Sequence, residues 1–389
     1  MKLQPVGTKE RIVTLDVLRG FSLLGILLVN MFAFYLPMPH ITDLGAWFTD
    51  VQDIIQQQVL DIYVQSSFYP LFSMLFGYGV AMQFMKADGV GFYKFAPKRM
   101  IVLFVAGFLH AILIWWGDIL MTYAFCGLLL IALIKIRPLF LVICAFVLNG
   151  LFHSLILLGY FAMGIFSAPV EEASVDIAAI QNAITAYGVG TWGDTFTQRM
   201  LDLAVQFQPF MWVSAAFTIL PYMLVGAAFA KWRLIERARE KIVLWLTLAV
   251  IGLGAGIFLK ALPIYTTKTY GLEYVKVYVG GPILALGYMA VVVLLCLIPY
   301  ARKLFSPIAK AGRMSMTLYI MQSIICTILF YHWGFSLYGQ VDVQMGMIIA
   351  VAIYVVQLIL AELWLSKFTQ GPLELAIKRA TYGKILSEK

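Results

Sequence analysis

The sequence predicts an all-α protein: a polytopic bundle of about ten transmembrane helices with both termini in the cytoplasm. Three observations carry this. The 389 residues are 62% hydrophobic and only 12% charged, with a mean hydropathy of +0.89, whereas a soluble domain carries about a quarter charged residues. The apolar residues gather in ten runs, roughly 13–36, 62–85, 100–117, 118–134, 138–165, 205–230, 242–261, 277–300, 313–332 and 344–366. The cations alternate with these runs. Every second connection holds 2 to 5 Lys or Arg, while the intervening ones hold only Arg199, Lys260, Lys268 and Lys276 of the 28. Cytoplasmic loops retain positive charge, so the rich side is inside.

The same composition narrows the function. The net charge of +8 is accounted for by inner loops, so nucleic acid is not an expected partner, and membrane lipid is. Cys126, Cys144, Cys296 and Cys326 all sit in apolar runs without CxxC spacing and imply neither a disulfide framework nor a metal. The first apolar run is too long for a cleaved signal and lacks a small-residue cleavage site, so it is expected to remain as the first span. Residues 1–389 form one integral membrane domain, with a small extracytoplasmic cap at 166–204 and a cytoplasmic tail at 367–389. The chain is expected to cross a membrane many times. A homodimer is left open.

Taken in order, the first span opens R-I-V-T-L-D-V-L-R-G. Asp16 and Arg19 are three apart and share a helix face. Asn30 lies eleven residues beyond Arg19 and returns to nearly the same face, about 16 Å higher. The following outer loop holds His40, Asp43, Asp50, Asp53 and Asp61 and no Lys or Arg; residues 53–68 are partly amphipathic and suit the membrane surface. The second span contains Pro70 and Gly77-Tyr78-Gly79, which predict a kink or close backbone contact. Met74-Leu75-Phe76-Gly77 is echoed by Met223-Leu224-Val225-Gly226 in the sixth span, a match too short to define a repeat.

Residues 99–127 are the centre of the chain. They form an apolar hairpin with no charged side chain between Arg99 and Asp118, or between Asp118 and Lys135. It carries His110 and Asp118, which lipid does not tolerate, and such residues mark functional sites by default. Trp115 and Trp116 fit an interfacial belt. Asp118 also suits the N-cap of the returning helix. Eight residues separate His110 from Asp118, about 12 Å along a straight helix, so contact requires the chain to turn near Gly117. His153 is expected to be a packing residue. The loop 231–241, KWRLIERAREK, reads as a basic helix-like link, and Arg313, Thr317 and Gln322 as one face of the ninth span.

No Walker loop, dinucleotide fingerprint, HExxH or GxSxG elbow is usefully placed. What remains suits acyl transfer across a membrane. Arg19, Arg99 and Arg313 would hold the phosphates of a cytosolic acyl-CoA. A histidine would take a proton from an acceptor hydroxyl or amine, and Asn30 would hydrogen-bond the thioester oxygen as it gains charge. His110 is the favoured base with Asp118 as its orienter; His40, just past the first span, is the second candidate. The same residues also suit a transporter or exporter of a small polar or lipid-like solute, with His and Asp as proton carriers. A lipid-binding scaffold without turnover is a third reading.

Four motifs, in order, resemble the bacterial YeiB family: Arg11-x3-Leu15-Asp16-x-Leu18-Arg19-Gly20 with Asn30, His110-x7-Asp118-Ile119-Leu120, the segment Gly312 to Gln322, and Gln370-Gly371-Pro372-Leu373-Glu374. Leu318 departs from a pattern that often has Asn there. The first-span motif also resembles heparan-alpha-glucosaminide N-acetyltransferase, which passes acetyl from cytosolic acetyl-CoA to a lumenal sugar amine. That resemblance implies a transmembrane acyltransferase with an outward acceptor such as a sugar or envelope glycan. It implies a site role for Asn30, and for His40 by distance from the first span.

Overall fold

Glycine is the residue that lets helix backbones touch where lipid supplies no hydrophobic drive between helices, and three glycine crossings hold this bundle together. The computed structural model describes residues 11–41, 44–48, 50–87, 89–170 and 176–383. Asp43, Glu171, Glu172 and Lys384 lie outside the described residues. Among these residues the chain is helical, without strands.

The elements in order are α1 (Val13–Tyr35), a 3-10 turn (Met38–His40), α2 (Leu44–Trp47), α3 (Val51–Tyr63), α4 (Phe68–Lys86), α5 (Gly89–Leu113), α6 (Leu120–Leu133) and α7 (Pro138–Ala162). There follow α8 (Ile177–Gly188), α9 (Trp192–Gln206), α10 (Pro209–Thr218), α11 (Leu220–Lys231), α12 (Ile242–Tyr265), α13 (Tyr270–Val275) and a π-helical turn (Lys276–Gly280). The chain ends with α14 (Gly281–Cys296), α15 (Pro299–Leu304), α16 (Ser306–Arg313), α17 (Ser315–Phe330), α18 (Val343–Lys367) and α19 (Pro372–Tyr382).

A helix stands at each of the ten apolar runs. Seven helical stretches are long and apolar enough to cross a membrane unaided, and eight if the bent pair α16–α17 counts as one span. Helix α6 is apolar but shorter. The starts follow local chemistry. Asp50, Asp176, Thr191 and Asp342 cap α3, α8, α9 and α18 through their side chains, whereas Pro138, Pro299, Pro307 and Pro372 occupy first-turn positions of α7, α15, α16 and α19.

Burial separates centre from rim. The apolar window of α1 is 61% buried, that of α7 only 17% and that of α12 22%. Helix α7 and helix α12 therefore present apolar side chains outward, as lipid contact requires, and α1 runs through the middle. Helix α3 exposes Val51, Ile55, Val59 and Tyr63 at four-residue spacing, one apolar stripe of a surface helix.

The crossings are reciprocal. A Cβ on Gly77 would stand 1.9 Å from the Met223 carbonyl oxygen, and one on Gly226 would stand 1.9 Å from that of Met74. The two echoed tetrapeptides thus pack on each other with a local two-fold relation. Gly20 meets the Ile308 carbonyl and Gly312 the Asp16 carbonyl in the same manner, with 2.0 and 1.8 Å to a built Cβ. Gly252 and Gly287 join α12 to α14.

Two expectations are corrected. The ninth span is not a continuous helix through Arg313: α16 and α17 meet at 85°, so Arg313 does not share a face with Thr317 and Gln322. Met314 leaves helical geometry at φ −113° and ψ 24°, and Glu374 caps the new helix start. In the link expected at 231–241, Lys231 ends α11 and residues 232–241 are a run of turns, with Arg233 at φ 53°, and not a helix.

The crossings make a direct prediction. Gly77→Leu or Gly226→Leu must push two backbones apart and is expected to cost at least about 1–3 kcal/mol, read as a lowered melting temperature in detergent. Gly254→Leu is the control, because nothing lies within 4 Å of a Cβ there.

Candidate functional site

The hairpin of α5 and α6 turns over residues 114–119, and this turn makes the expected contact. His110 Nδ1 lies 2.8 Å from Asp118 Oδ2. Both residues are buried, at 3% and 2% exposure. The other carboxylate oxygen, Oδ1, accepts from the Met121 amide at 2.9 Å, so Asp118 caps α6 and holds the histidine at once. Gly107 permits this, since a Cβ there would fall 2.5 Å from Asp118 Oδ1. Gly117 lets the Trp115 ring fold beneath the turn.

A carboxylate accepts, so the Nδ1 proton of His110 is directed to Asp118. That leaves Nε2 with its lone pair, and Nε2 is buried without a hydrogen-bond partner. The Tyr319 ring of α17 stands 5.5 Å from the imidazole, and its hydroxyl donates to the Gly117 carbonyl at 3.4 Å. The result is an oriented imidazole with one basic nitrogen free, in a dry apolar wall.

The same end of α1 faces this group. Trp115 Nε1 donates to the Ala33 carbonyl at 3.3 Å, and its ring lies 4.1 Å from that of Phe34. At the opposite end, Arg99 of α5 is close enough to Arg19 of α1 for the two charges to repel. Helices α1 and α5 thus run in the same direction, with their ends at matching levels. Arg19 to Asn30 and Arg99 to His110 are both eleven residues, about 16 Å on one helix face. Asn30 and His110 therefore share a depth, one above each arginine. Asn30 is half-buried, and its side chain makes no hydrogen bond among the described residues.

The arginine level gathers four side chains. Asp16 takes Arg11 at 3.1 Å and Arg19 at 3.3 Å. Arg313 is near enough to Arg11 to feel its charge, and its Nη2 donates to the Thr369 carbonyl at 2.9 Å while Nε is buried without a partner. Arg99 has no hydrogen bond or ion pair among the described residues. Asp16 faces Arg11, Arg19 and Arg313, and Arg99 adds a fourth guanidinium beside Arg19, so the level carries an excess of positive charge. Its walls are fastened by Glu374 of α19, which accepts from the Met316 and Thr317 amides at 2.8 and 3.1 Å and from the Thr317 hydroxyl at 2.5 Å. Gly371 leaves the space that Glu374 needs.

His40 is not part of the hairpin group. Its Nε2 lies 3.3 Å from Asp202 Oδ1 and 3.4 Å from Gln198 Nε2 on α9, and Tyr187 donates to Asp202 Oδ2 at 2.7 Å. Burial raises the Asp202 carboxyl above the usual range, against the bonds from Tyr187 and Gln198 and the nearby His40. His153 is buried and pairs with the Tyr274 hydroxyl at 2.6 Å. Sequence reasoning missed Asp202, Gln198, Tyr187 and His332. The spacing Thr195, Gln198/Arg199, Asp202 on one face of α9 was the signal for Gln198 and Asp202; Tyr187 and His332 come from other elements. No group of three or more His, Cys, Asp or Glu fit to hold a metal occurs among the described residues.

Two substitutions test this geometry. Asp118→Asn keeps the cap oxygen but offers an amide donor to Nδ1, which moves the imidazole proton to Nε2. It is expected to leave the melting temperature within a few degrees while removing the basic nitrogen, read as a changed tautomer in 15N NMR of labelled histidine. Glu374→Ala removes three accepted hydrogen bonds from the start of α17 and is expected to cost about 1–3 kcal/mol. Faster hydrogen exchange at Met316 and Thr317 would mark the loss.

Residues 229–384, which include the arginine level's α16 and the α17–α19 clasp, match the family described as a protein of unknown function (DUF418). Over nearly its full length the chain is similar to uncharacterised bacterial proteins. It is 34% identical to YxaH of Bacillus subtilis across 98% of this chain and 96% of that one. It is 29% identical to a 39.9 kDa protein of the amylase 3' region of Bacillus acidopullulyticus, across 98% and 97%. YeiB of Escherichia coli is 28% identical across 94% of each. The hairpin carrying His110 and Asp118, the glycine crossings and the Gln370–Glu374 clasp are the parts of one architecture, and the chain belongs to the YeiB family of bacterial polytopic membrane proteins.

Proposed function

We propose that this protein is a ten-span acyltransferase of the bacterial inner membrane, both termini cytoplasmic, that takes an acyl group from a cytosolic acyl-CoA and delivers it to an outward-facing acceptor such as a sugar or envelope glycan. The observation that carries the reading is the His110–Asp118 pair, whose free Nε2 lies at the depth of Asn30 and about 16 Å beyond an arginine level. A chain with this arrangement holds a phosphate-rich donor at one level and reacts its thioester at the other.

Asp118 fixes the imidazole tautomer and stabilises the imidazolium that forms. Nε2 removes the proton from the acceptor hydroxyl or amine as that atom attacks the thioester carbon. The carbon–sulfur bond breaks, and the proton passes from Nε2 to the departing thiolate. Asn30 donates its amide to the carbonyl oxygen while it carries charge. Arg19, Arg99 and Arg313 hold the donor phosphates, with Arg99 the least engaged of the three. His40 belongs to the acceptor side through Asp202.

A second reading, transport of a small polar or lipid-like solute, is favoured by one observation: the reciprocal crossing of Gly77 and Gly226 relates α4 and α11 by a local two-fold, and transporters place their substrate site between parts related by a pseudo-two-fold.

Acetyl-CoA binding to the purified protein, measured by calorimetry in detergent, separates them. Arg19→Ala or Arg313→Ala is expected to weaken binding about 10- to 100-fold, the loss of one charge-assisted contact. His110→Ala is expected to bind normally and transfer nothing. Absence of binding by acetyl-CoA and by longer acyl-CoAs would sink the enzyme reading and favour transport.

A further inference from the structure

The α8–α9 cap contains a buried cation that the acyl-transfer chemistry does not use. Arg199 is 3% exposed. Its Nη1 donates to the Ile112 carbonyl at 2.8 Å, two residues beyond His110 on α5. Its Nε and Nη2 are buried and have no partner. These two nitrogens form the edge of the guanidinium that presents parallel N–H groups, the fork that receives both oxygens of a carboxylate or phosphoryl group.

Asp202, three residues along the same helix, does not fill the fork. Its oxygens are taken by Tyr187, Gln198 and His40. The wall opposite is the segment after α17. Trp333 lies over the guanidinium at 5.9 Å. The buried Tyr331 hydroxyl has no partner and is within electrostatic reach of both Arg199 and Asp202. His332 is held by Thr195 at 3.1 Å, one turn before Arg199 on α9. A buried donor without an acceptor costs free energy inside a protein, and Arg199 Nε and Nη2 and the Tyr331 hydroxyl are all such groups.

We infer that the α8–α9 cap holds a binding site for an oxyanion, a carboxylate or phosphoryl group carried by a small molecule or a lipid headgroup, received by the Nε–Nη2 edge of Arg199 and the Tyr331 hydroxyl. The anion neutralises the buried guanidinium, and Trp333 covers it. The inference holds whichever chemistry the His110 pair performs, because it concerns binding at the cap alone.

The test uses the full chain in nanodiscs of phosphatidylcholine, titrated with sodium phosphate, sulfate or acetate against sodium chloride at matched ionic strength. A saturable rise in melting temperature of several degrees is expected for at least one oxyanion and not for chloride. Arg199→Gln removes the rise, Tyr331→Phe raises the half-saturating concentration several-fold, and Lys303→Gln, an exposed cation on α15, leaves it intact. A parallel arm adds phosphatidylglycerol and reads retained lipid by native mass spectrometry. Retention by the native chain and loss in Arg199→Gln assigns the oxyanion to a headgroup; a rise with free anion alone assigns it to a soluble ligand. Tyr331→Phe keeps the guanidinium and serves if Arg199→Gln does not fold. The inference is overturned if neither arm shows binding, or if binding survives in both variants unchanged. Acetyl-CoA binding is read separately, so failure here leaves the donor site untouched.

Discussion

The backbone contact between α1 and α16 is the constraint on which the functional half of the molecule rests. Gly20 sits on the carbonyl of Ile308 and Gly312 on that of Asp16, so neither helix can carry a side chain at the crossing. Asp16 and Arg19 flank one glycine, and Arg313 follows the other. The close approach therefore brings three helix ends' worth of charge to one level, around a single carboxylate.

From this crossing the remaining geometry follows. Helix α17 leaves α16 at 85°, which turns Tyr319 toward the hairpin and sets it against His110. The bend exposes the first amides of α17, and Glu374 answers them. A helix start needs acceptors for its free donors, and this one finds them 58 residues later in the chain. The Gly312–Gln322 and Gln370–Glu374 motifs, separate in sequence, are one clasp in space. On the far side, Trp115 locks the hairpin turn to α1, so the histidine is held from both the carboxylate below and the indole beside it.

The arrangement divides the labour of a membrane site by depth. Charge that needs water or ligand lies at the arginine level and in the cap. In the middle, several polar residues have a defined partner, such as Ser73 with Tyr123, Gln322 with Gln357, and His110 with Asp118. The exceptions are the informative ones. His110 Nε2, Arg199 Nε and Nη2, and Arg313 Nε are among the buried polar atoms left open.

The sequence by itself determined the class of protein, the placement of its helices and the family. Each of those depends on local composition: apolar runs long enough to span hydrocarbon, cations sorted between loops, and motifs read along the chain. It also determined that His110 and Asp118 can meet only through a turn near Gly117, because helix rise fixes the distance between them. What only the tertiary structure decided concerns partners remote in sequence. His40 pairs with Asp202, 162 residues away, so its nearness to the first span was no guide. Arg313 left the face of Thr317 because a cap from α19 made a break more stable than a continued helix. Arg199 is a buried cation whose neighbour Asp202 is bonded to Tyr187, Gln198 and His40. Local periodicity records which side of a helix is apolar; it does not record which distant group will satisfy a polar atom on that side.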